Sequence, residues 1–182
     1  MKKYYKAASK GQLLYKEVWL DHTNNTFVLH YGKVGYKGKT EAQPLSDSKT
    51  SAALLEEFCR SCEAAGYAEI GEDQQATVVV QFPLKSAFGN RRDLWLRDTV
   101  QEYLNDHLGW RGFGHVDGYD IGQKKLNIFC KVVAAESAVS SIKACLRKYR
   151  LDLNQARIAV KEPGATKYTM VFSYNEETTF DL

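Results

Sequence analysis

The residues best suited to binding chemistry lie together in one glycine-rich stretch. Lysines and tyrosines alternate with glycines there, in the order Tyr31, Gly32, Lys33, Gly35, Tyr36, Lys37, Gly38 and Lys39. Lysine ammonium groups neutralise phosphates, and tyrosine rings stack on exposed bases or sugars. Glycine allows a close approach of the backbone and exposes its N–H groups. This composition predicts a phosphate-binding loop; the alternative is a β-turn whose tyrosines pack inward and whose lysines only face solvent.

The distribution of charge supports a binding loop more than the net charge does. The chain has 182 residues and a net charge of +3, which by itself does not indicate binding to nucleic acid. Residues 1–39 contain eight lysines and two acidic residues, whereas residues 40–76 contain two basic and eight acidic residues. A basic segment followed by an acidic one can present a phosphate-attracting face.

Two other groups of residues could carry chemistry, and neither forms a complete site. Cys59-Arg-Ser-Cys62 has the spacing of a redox pair or half a zinc site, but no second pair of cysteines follows at close spacing. His115 and Asp117, with Asp120 nearby, could act as metal ligands or in acid–base catalysis, but glycines surround them and no second cluster completes a site. We therefore predict no catalytic residue, no metal, no cofactor and no enzymatic activity.

A further basic patch is predicted on a helix in the second half of the chain. It contains Lys143, Arg147, Lys148 and Arg150, and Lys143 and Arg147 are spaced to share one face. The patch either extends a basic binding surface or is an ordinary solvated helix face.

The elements around the glycine-rich stretch are predicted to be three strands and a covering helix. The strands are Leu13–Leu20, Thr26–Tyr31 and about Lys39–Pro44. The helix is predicted over Ser48–Ala65, with Ser46 to Ser48 as candidate caps and Gly66 as its end.

A second pattern of elements begins after the polar segment 71–76, which has the composition of a linker. The order is β-α-β-β-α-β-β, over the segments Thr77–Phe82, Arg92–Leu108, His115–Ile121, Leu126–Val133, Glu136–Tyr149, Ala156–Lys161 and Tyr168–Tyr174. This order is the split βαβ (ferredoxin-like) two-layer sandwich with one added strand. The sequence thus predicts an α+β protein with domains at 1–70 and 77–182, the first a small antiparallel sheet with one helix.

The segment from Phe27 to Thr40 resembles the WGR domain, a family named for its Trp-Gly-Arg signature. The resemblance continues to Ala65-Gly66-Tyr67-Ala68-Glu69 and covers about residues 1–70. Tyr31 stands where tryptophan is usual, and Lys33 stands where arginine is usual. Lysine lacks the planar fork of arginine, so Lys33 would supply a single charge without a bidentate contact.

The resemblance implies a function and its site. In poly(ADP-ribose) polymerases, WGR domains bind DNA ends or breaks near the terminal 5′ phosphate, and standalone bacterial proteins of this type lack the polymerase domain. The resemblance therefore implies weak, sequence-independent binding to DNA ends or nicks through the stretch from Tyr31 to Lys39. The alternative is a protein-interaction or inhibitor (immunity-type) module with no nucleic-acid ligand.

The expected setting is the cytoplasm. No run of 18 apolar residues is present, and no apolar segment follows the basic start of the chain. We expect no membrane partner and four reduced cysteines. The sequence does not predict the oligomeric state.

Overall fold

The structure is a computed structural model that describes residues 1–45, 51–175 and 179–182. The chain divides into two compact units, residues 1–70 and residues 71–182. Each unit contains an antiparallel sheet and at least one helix, so the predicted α+β class is confirmed. Within the described residues, no helix is long and apolar enough to cross a membrane.

The first unit is a four-stranded antiparallel sheet with its strands in chain order. Its elements are β1 (Lys2–Ala7), β2 (Leu13–Asp21), β3 (Thr26–Lys33), β4 (Lys39–Pro44) and α1 (Ser51–Ala64). The sequence predicted only three strands in this unit. That prediction was wrong, since the structure adds β1 at the edge beside β2. The predicted helix start at Ser48 and the candidate caps Ser46 to Ser48 lie outside the described residues.

The hydrophobic core of the first unit lies between α1 and one face of the sheet. Three side chains at helical spacing on α1 pack against one side chain from each of the first three strands: Leu54, Phe58 and Cys62 against Tyr4, Val18 and Phe27. β4 forms one edge of the sheet. It pairs with β3, and all of its residues are exposed. The end of the sheet near α1 is therefore fixed by packing, and β4 is held mainly by its hydrogen bonds to β3.

The second unit is a five-stranded antiparallel sheet with two helices. Its elements are β5 (Ala76–Pro83), α2 (Arg91–Gly109), β6 (Gly114–Gly122), β7 (Lys125–Val132), α3 (Ala135–Lys148), β8 (Arg157–Lys161) and β9 (Thr169–Ser173). The strand order β6-β7-β5-β8-β9 is that of a split βαβ sandwich with β9 added beside β8. Residues 71–76, predicted as a linker, contain a short 3-10 helix at Glu72–Gln74 and the first residue of β5.

The start of α2 and the packing of both helices of the second unit follow from their sequences. Asn90 accepts hydrogen bonds from the N–H groups of Arg92 and Asp93, and the Asp93 carboxylate accepts one from the Asn90 N–H at 2.8 Å. This reciprocal cap fixes the start of α2. Apolar residues at helical spacing on α2 and α3 and at alternate positions of β7 are buried: Leu96, Val100, Leu104, Leu108, Ala138, Ile142, Leu146, Leu126, Ile128 and Cys130.

Candidate nucleic-acid interface

The glycine-rich stretch forms the end of β3, a tight turn and the start of β4. The Val34 N–H donates to the carbonyl of Leu13 at 2.8 Å, which ties the turn to β2, and the Tyr36 N–H donates to the carbonyl of Lys33 at 3.1 Å. Gly35 has a φ of +96°, a conformation that favours glycine. The expectation that the loop exposes its backbone N–H groups is wrong for Val34 and Tyr36, because both already donate within the protein.

Gly32 and Gly38 are explained by packing. A Cβ atom at Gly38 would overlap the Tyr15 hydroxyl and the His30 ring, and a Cβ atom at Gly32 would lie 3.2 Å from the Gly38 Cα. The two glycines therefore let the ends of the loop close over Tyr15 and His30. The fold therefore requires glycine at both positions, and this close packing holds the loop against the sheet.

Beneath these glycines lies a buried polar network, which we call the β1–β3 relay. The Tyr15 hydroxyl is 2.9 Å from His30 Nε2, and His30 Nδ1 is 2.6 Å from Glu17 Oε1. The second oxygen of Glu17 pairs with Lys3 Nζ at 3.1 Å. His30 was not among the residues singled out from the sequence. The network depends on the β2–β3 register, which places Glu17 directly opposite His30.

The electrostatics of the β1–β3 relay favour an ionised carboxylate. Burial would raise the pKa of Glu17, but the hydrogen bond from His30 and the charge of Lys3 outweigh it and hold the pKa below its ordinary value. Tyr15 is 0% exposed and His30 is 1% exposed. Because neither can reach a molecule in solution, the relay supports the loop and does not itself carry out chemistry on a ligand.

The sequence-predicted residues are divided between two faces of the sheet. Tyr31, Lys33 and Lys39 share the face that carries α1, since Tyr31 is paired with Lys39 across β3 and β4. The Tyr31 hydroxyl donates to Glu41 Oε1 at 2.6 Å, which raises the pKa of Tyr31, and its ring is half-buried. Gly32 and Gly38 face the β1–β3 relay instead.

The tip of the loop carries its most accessible groups. Tyr36 is 65% exposed, and Lys37 beside it is also exposed. Within the described residues, none of Lys33, Lys37 and Lys39 forms an ion pair with a carboxylate. These ammonium groups are therefore available to an external anion.

Two further lysines on the same face were not singled out from the sequence. Lys16 lies directly opposite Tyr31 in the β2–β3 register, and its Nζ is 5.0 Å from the centre of the Tyr67 ring. Lys6 Nζ is 5.7 Å from that ring and donates to the Ala65 carbonyl at 2.6 Å, near the end of α1. We call the surface formed by Tyr31, Lys6, Lys16, Lys33 and Lys39 the basic face.

The end of α1 explains the position of Tyr67. Gly66 has a φ of +78°, and the Tyr67 N–H donates back to the carbonyl of Cys62 at 2.9 Å, which closes the helix. Gly66 is thus the helix end that the sequence predicts. This cap turns the chain so that the Tyr67 ring lies near Lys6 and Lys16.

The other two groups of candidate residues lie on α1 and on β6. Cys62 lies within α1 and is fully buried, and burial raises the pKa of its thiol. A β-bulge between Val116 and Gly118 interrupts β6 between His115 and Asp117, so the regular alternation that would put both side chains on one face of the strand is lost. In the three described ranges, no group of three or more His, Cys, Asp or Glu side chains could hold a metal ion.

The comparisons with known proteins add no further information on this interface. No protein-family profile, curated protein or solved structure matches the chain.

Proposed function

We propose that this chain is a non-enzymatic, cytoplasmic nucleic-acid-binding protein that binds DNA weakly, without sequence preference, and best at ends or breaks. The observation that carries the proposal is the set of exposed lysines Lys33, Lys37 and Lys39, which have no carboxylate partner in the described part of the chain. Because close packing at Gly32 and Gly38 holds the loop against the β1–β3 relay, the loop loses little conformational freedom when it binds DNA.

The binding mode follows from the chemistry of these side chains. Each lysine neutralises one phosphate, so three contacts give a plot of log K against log salt a slope of about −3. The exposed ring of Tyr36 offers a stacking surface, and such a contact contributes about 1–3 kcal/mol per base. Binding through three phosphates fades as the salt concentration approaches the physiological range.

The preference for ends rests on the resemblance to the WGR domain. In that family the residue at the position of Tyr31 packs on the exposed end of the nucleic acid. Here Tyr31 is held beside Glu41 and lies on the basic face between Lys16 and Lys39. We propose that Tyr31 contacts the terminal base pair while the lysines of the basic face contact the phosphates around it.

A second candidate function is a protein-interaction module of the inhibitor type. It is favoured by large apolar side chains at the surface of the second unit, where Phe88 is 80% exposed and Trp95 is 55% exposed. Apolar side chains of this size at a surface can anchor a protein partner. This function would not need the basic face.

Fluorescence anisotropy tests the main proposal. A labelled 5′-phosphorylated duplex is titrated at two salt concentrations and competed with blunt, nicked and intact circular DNA. Lys33→Ala and Lys37→Ala should each make the salt slope shallower by about one, whereas Lys85→Ala, a change at an exposed lysine of the second unit, should not. Tyr31→Ala should remove the preference for ends. Absence of binding at low salt would refute the proposal and favour the protein partner.

A further inference from the structure

The outer groove between α2 and α3 contains a connected group of polar and aromatic side chains. The rings of Tyr103 and Tyr149 are stacked with their centres 4.0 Å apart. One helical turn further along α2, His107 Nε2 is 2.9 Å from the hydroxyl of Ser141 on α3. These contacts hold the two helices in register and fix the side chains that line the groove.

Two cations lie beside the histidine in this groove. Arg111 donates to the backbone carbonyl of His107 at 3.2 Å, and Lys148 Nζ lies 4.7 Å from the centre of the Tyr149 ring. We call His107, Arg111, Ser141 and Lys148 the α2–α3 cluster. Burial, Arg111 and Lys148 together lower the pKa of His107 to about 4. The histidine is therefore neutral at neutral pH, with two positive charges near it.

The positive charge of the α2–α3 cluster is not compensated within the described residues. No ion pair joins Arg111, Arg147 or Lys148 to a carboxylate there, although Glu102 and Asp106 are exposed on the same half of α2. By contrast, Arg92 and Arg97 in the first half of α2 both have carboxylate partners, Asp152 and Asp98. The two helices are antiparallel, because Tyr103 contacts Tyr149 and His107 contacts Ser141. Arg111 and Lys148 therefore lie on opposite sides of His107 along the helix pair.

We infer that the outer side of the helix pair around His107 is a second contact surface for the phosphate backbone of nucleic acid. The inference goes beyond the proposed function of the basic face, since it concerns the other unit and different residues. The Arg111 guanidinium, the Lys148 ammonium and the Ser141 hydroxyl are donors suited to phosphodiester oxygens. Arg147 and Arg150 are exposed at the end of α3 and extend the positive charge along a chain of phosphates. Charge complementarity over several phosphates favours a polyanion over a single small anion.

The titration of His107 gives a local test of this inference. A phosphate bound beside Arg111 and Lys148 offsets their positive charge, so it raises the pKa of His107. The pKa values of the imidazole groups are followed by NMR in the full chain, with His107→Gln used for assignment. A single-stranded 12-nucleotide DNA at low salt should raise the pKa of His107 by about one.

Substitutions distinguish DNA binding at the α2–α3 cluster from DNA binding at the glycine-rich loop of the first unit. Lys148→Gln should weaken binding of the 12-nucleotide DNA about five- to tenfold near 50 mM salt and make the salt slope shallower by about 0.7. Lys143→Gln is the matched control, because Lys143 lies on the same helix but its Nζ is placed over Phe172 at 4.8 Å. The response of His107 should persist in the double variant Lys33→Ala/Lys37→Ala, even if that variant binds DNA ends more weakly.

Three results would overturn the inference without bearing on the basic face. The first is an unchanged pKa of His107 in the presence of the DNA. The second is equal binding by Lys148→Gln and Lys143→Gln. The third is an equal rise in the pKa of His107 with inorganic phosphate at the same phosphate concentration, which would indicate a small-anion site.

Discussion

His30 of the first unit and His107 of the second unit each share a hydrogen bond with a hydroxyl group, yet the charges around them have opposite signs. His30 contacts the carboxylate of Glu17, which is also paired with Lys3, so the protein itself compensates the charges of the β1–β3 relay. Burial and the nearby charges of Arg111 and Lys148 lower the pKa of His107, so the imidazole is neutral at neutral pH. A polar cluster that is neutralised internally supports the fold, whereas one with unpaired charge can recruit an external ion.

The largest expected effect comes from removing the carboxylate of the relay. Glu17→Ala leaves Lys3 and His30 without their anion, and breaking such a buried pair costs about 3 kcal/mol in the free energy of unfolding. Urea denaturation measures the loss. Glu56→Ala, which removes an exposed carboxylate on α1 of the same unit, should cost less than about 0.5 kcal/mol. Equal losses in the two variants would show that the relay does not stabilise the first unit.

The pH dependence of this loss provides its control. The pKa of Glu17 is lower in the folded chain than its ordinary value of 4.5. The stability contributed by its ionised form is therefore complete above pH 4.5 and is lost as the pH falls through the lowered value. The stability difference between wild type and Glu17→Ala should shrink over that range.

The next largest effect is expected at the contact between the loop and the relay. Gly38→Ala places a methyl group against Tyr15 and His30, and overpacking of this kind costs about 2 kcal/mol. Gly109→Ala in the second unit has open space around its Cβ and should leave stability unchanged or slightly increased. Thermal unfolding distinguishes the two. Tolerance of alanine at position 38 would show that the loop is not held as closely as we describe.

A smaller effect, with a different pH range, is expected in the second unit. The folded chain holds the pKa of His107 near 4, below its ordinary 6.5, so the unfolded chain binds a proton first as the pH falls. Stability should therefore decrease between pH 6.5 and about 4. His107→Gln should flatten this part of the profile measured by chemical denaturation. A profile that is the same in both proteins would mean that the fold does not lower the pKa of His107.

The smallest effect is expected at Ser141. Ser141→Ala removes one hydrogen bond to a half-buried histidine that solvent can still reach, so the cost should be about 0.5 kcal/mol. Tyr15→Phe is the matching change in the relay and should cost about 1–2 kcal/mol, because the partner is fully buried. Comparing the losses in the free energy of unfolding of these two single variants sharpens the contrast between the two polar clusters. Equal losses in the two variants would contradict this contrast between the β1–β3 relay and the α2–α3 cluster.

The sequence predicts the elements of both units well where one face of an element is apolar and the other polar. It misses β1 because Tyr4 and Tyr5 point to opposite faces of the sheet and both are buried, so the strand shows no alternation. The lysines of the loop could be found from local composition. The relay could not, because it depends on the register of β2 with β3. The α2–α3 cluster likewise depends on helix packing, since the sequence pattern showed only the lysines and arginines of α3.

The exposed strand β4 has a consequence for solubility. An unpaired sheet edge is a template for pairing with a second chain, and flat apolar edges promote aggregation. Along this edge the chain places Lys39, Glu41 and Pro44, two charges and a residue that cannot donate a backbone hydrogen bond. Lys39, which would attract phosphate, therefore also helps to keep copies of the protein apart. Removing its charge would weaken phosphate binding and the protection against edge-to-edge pairing at the same time.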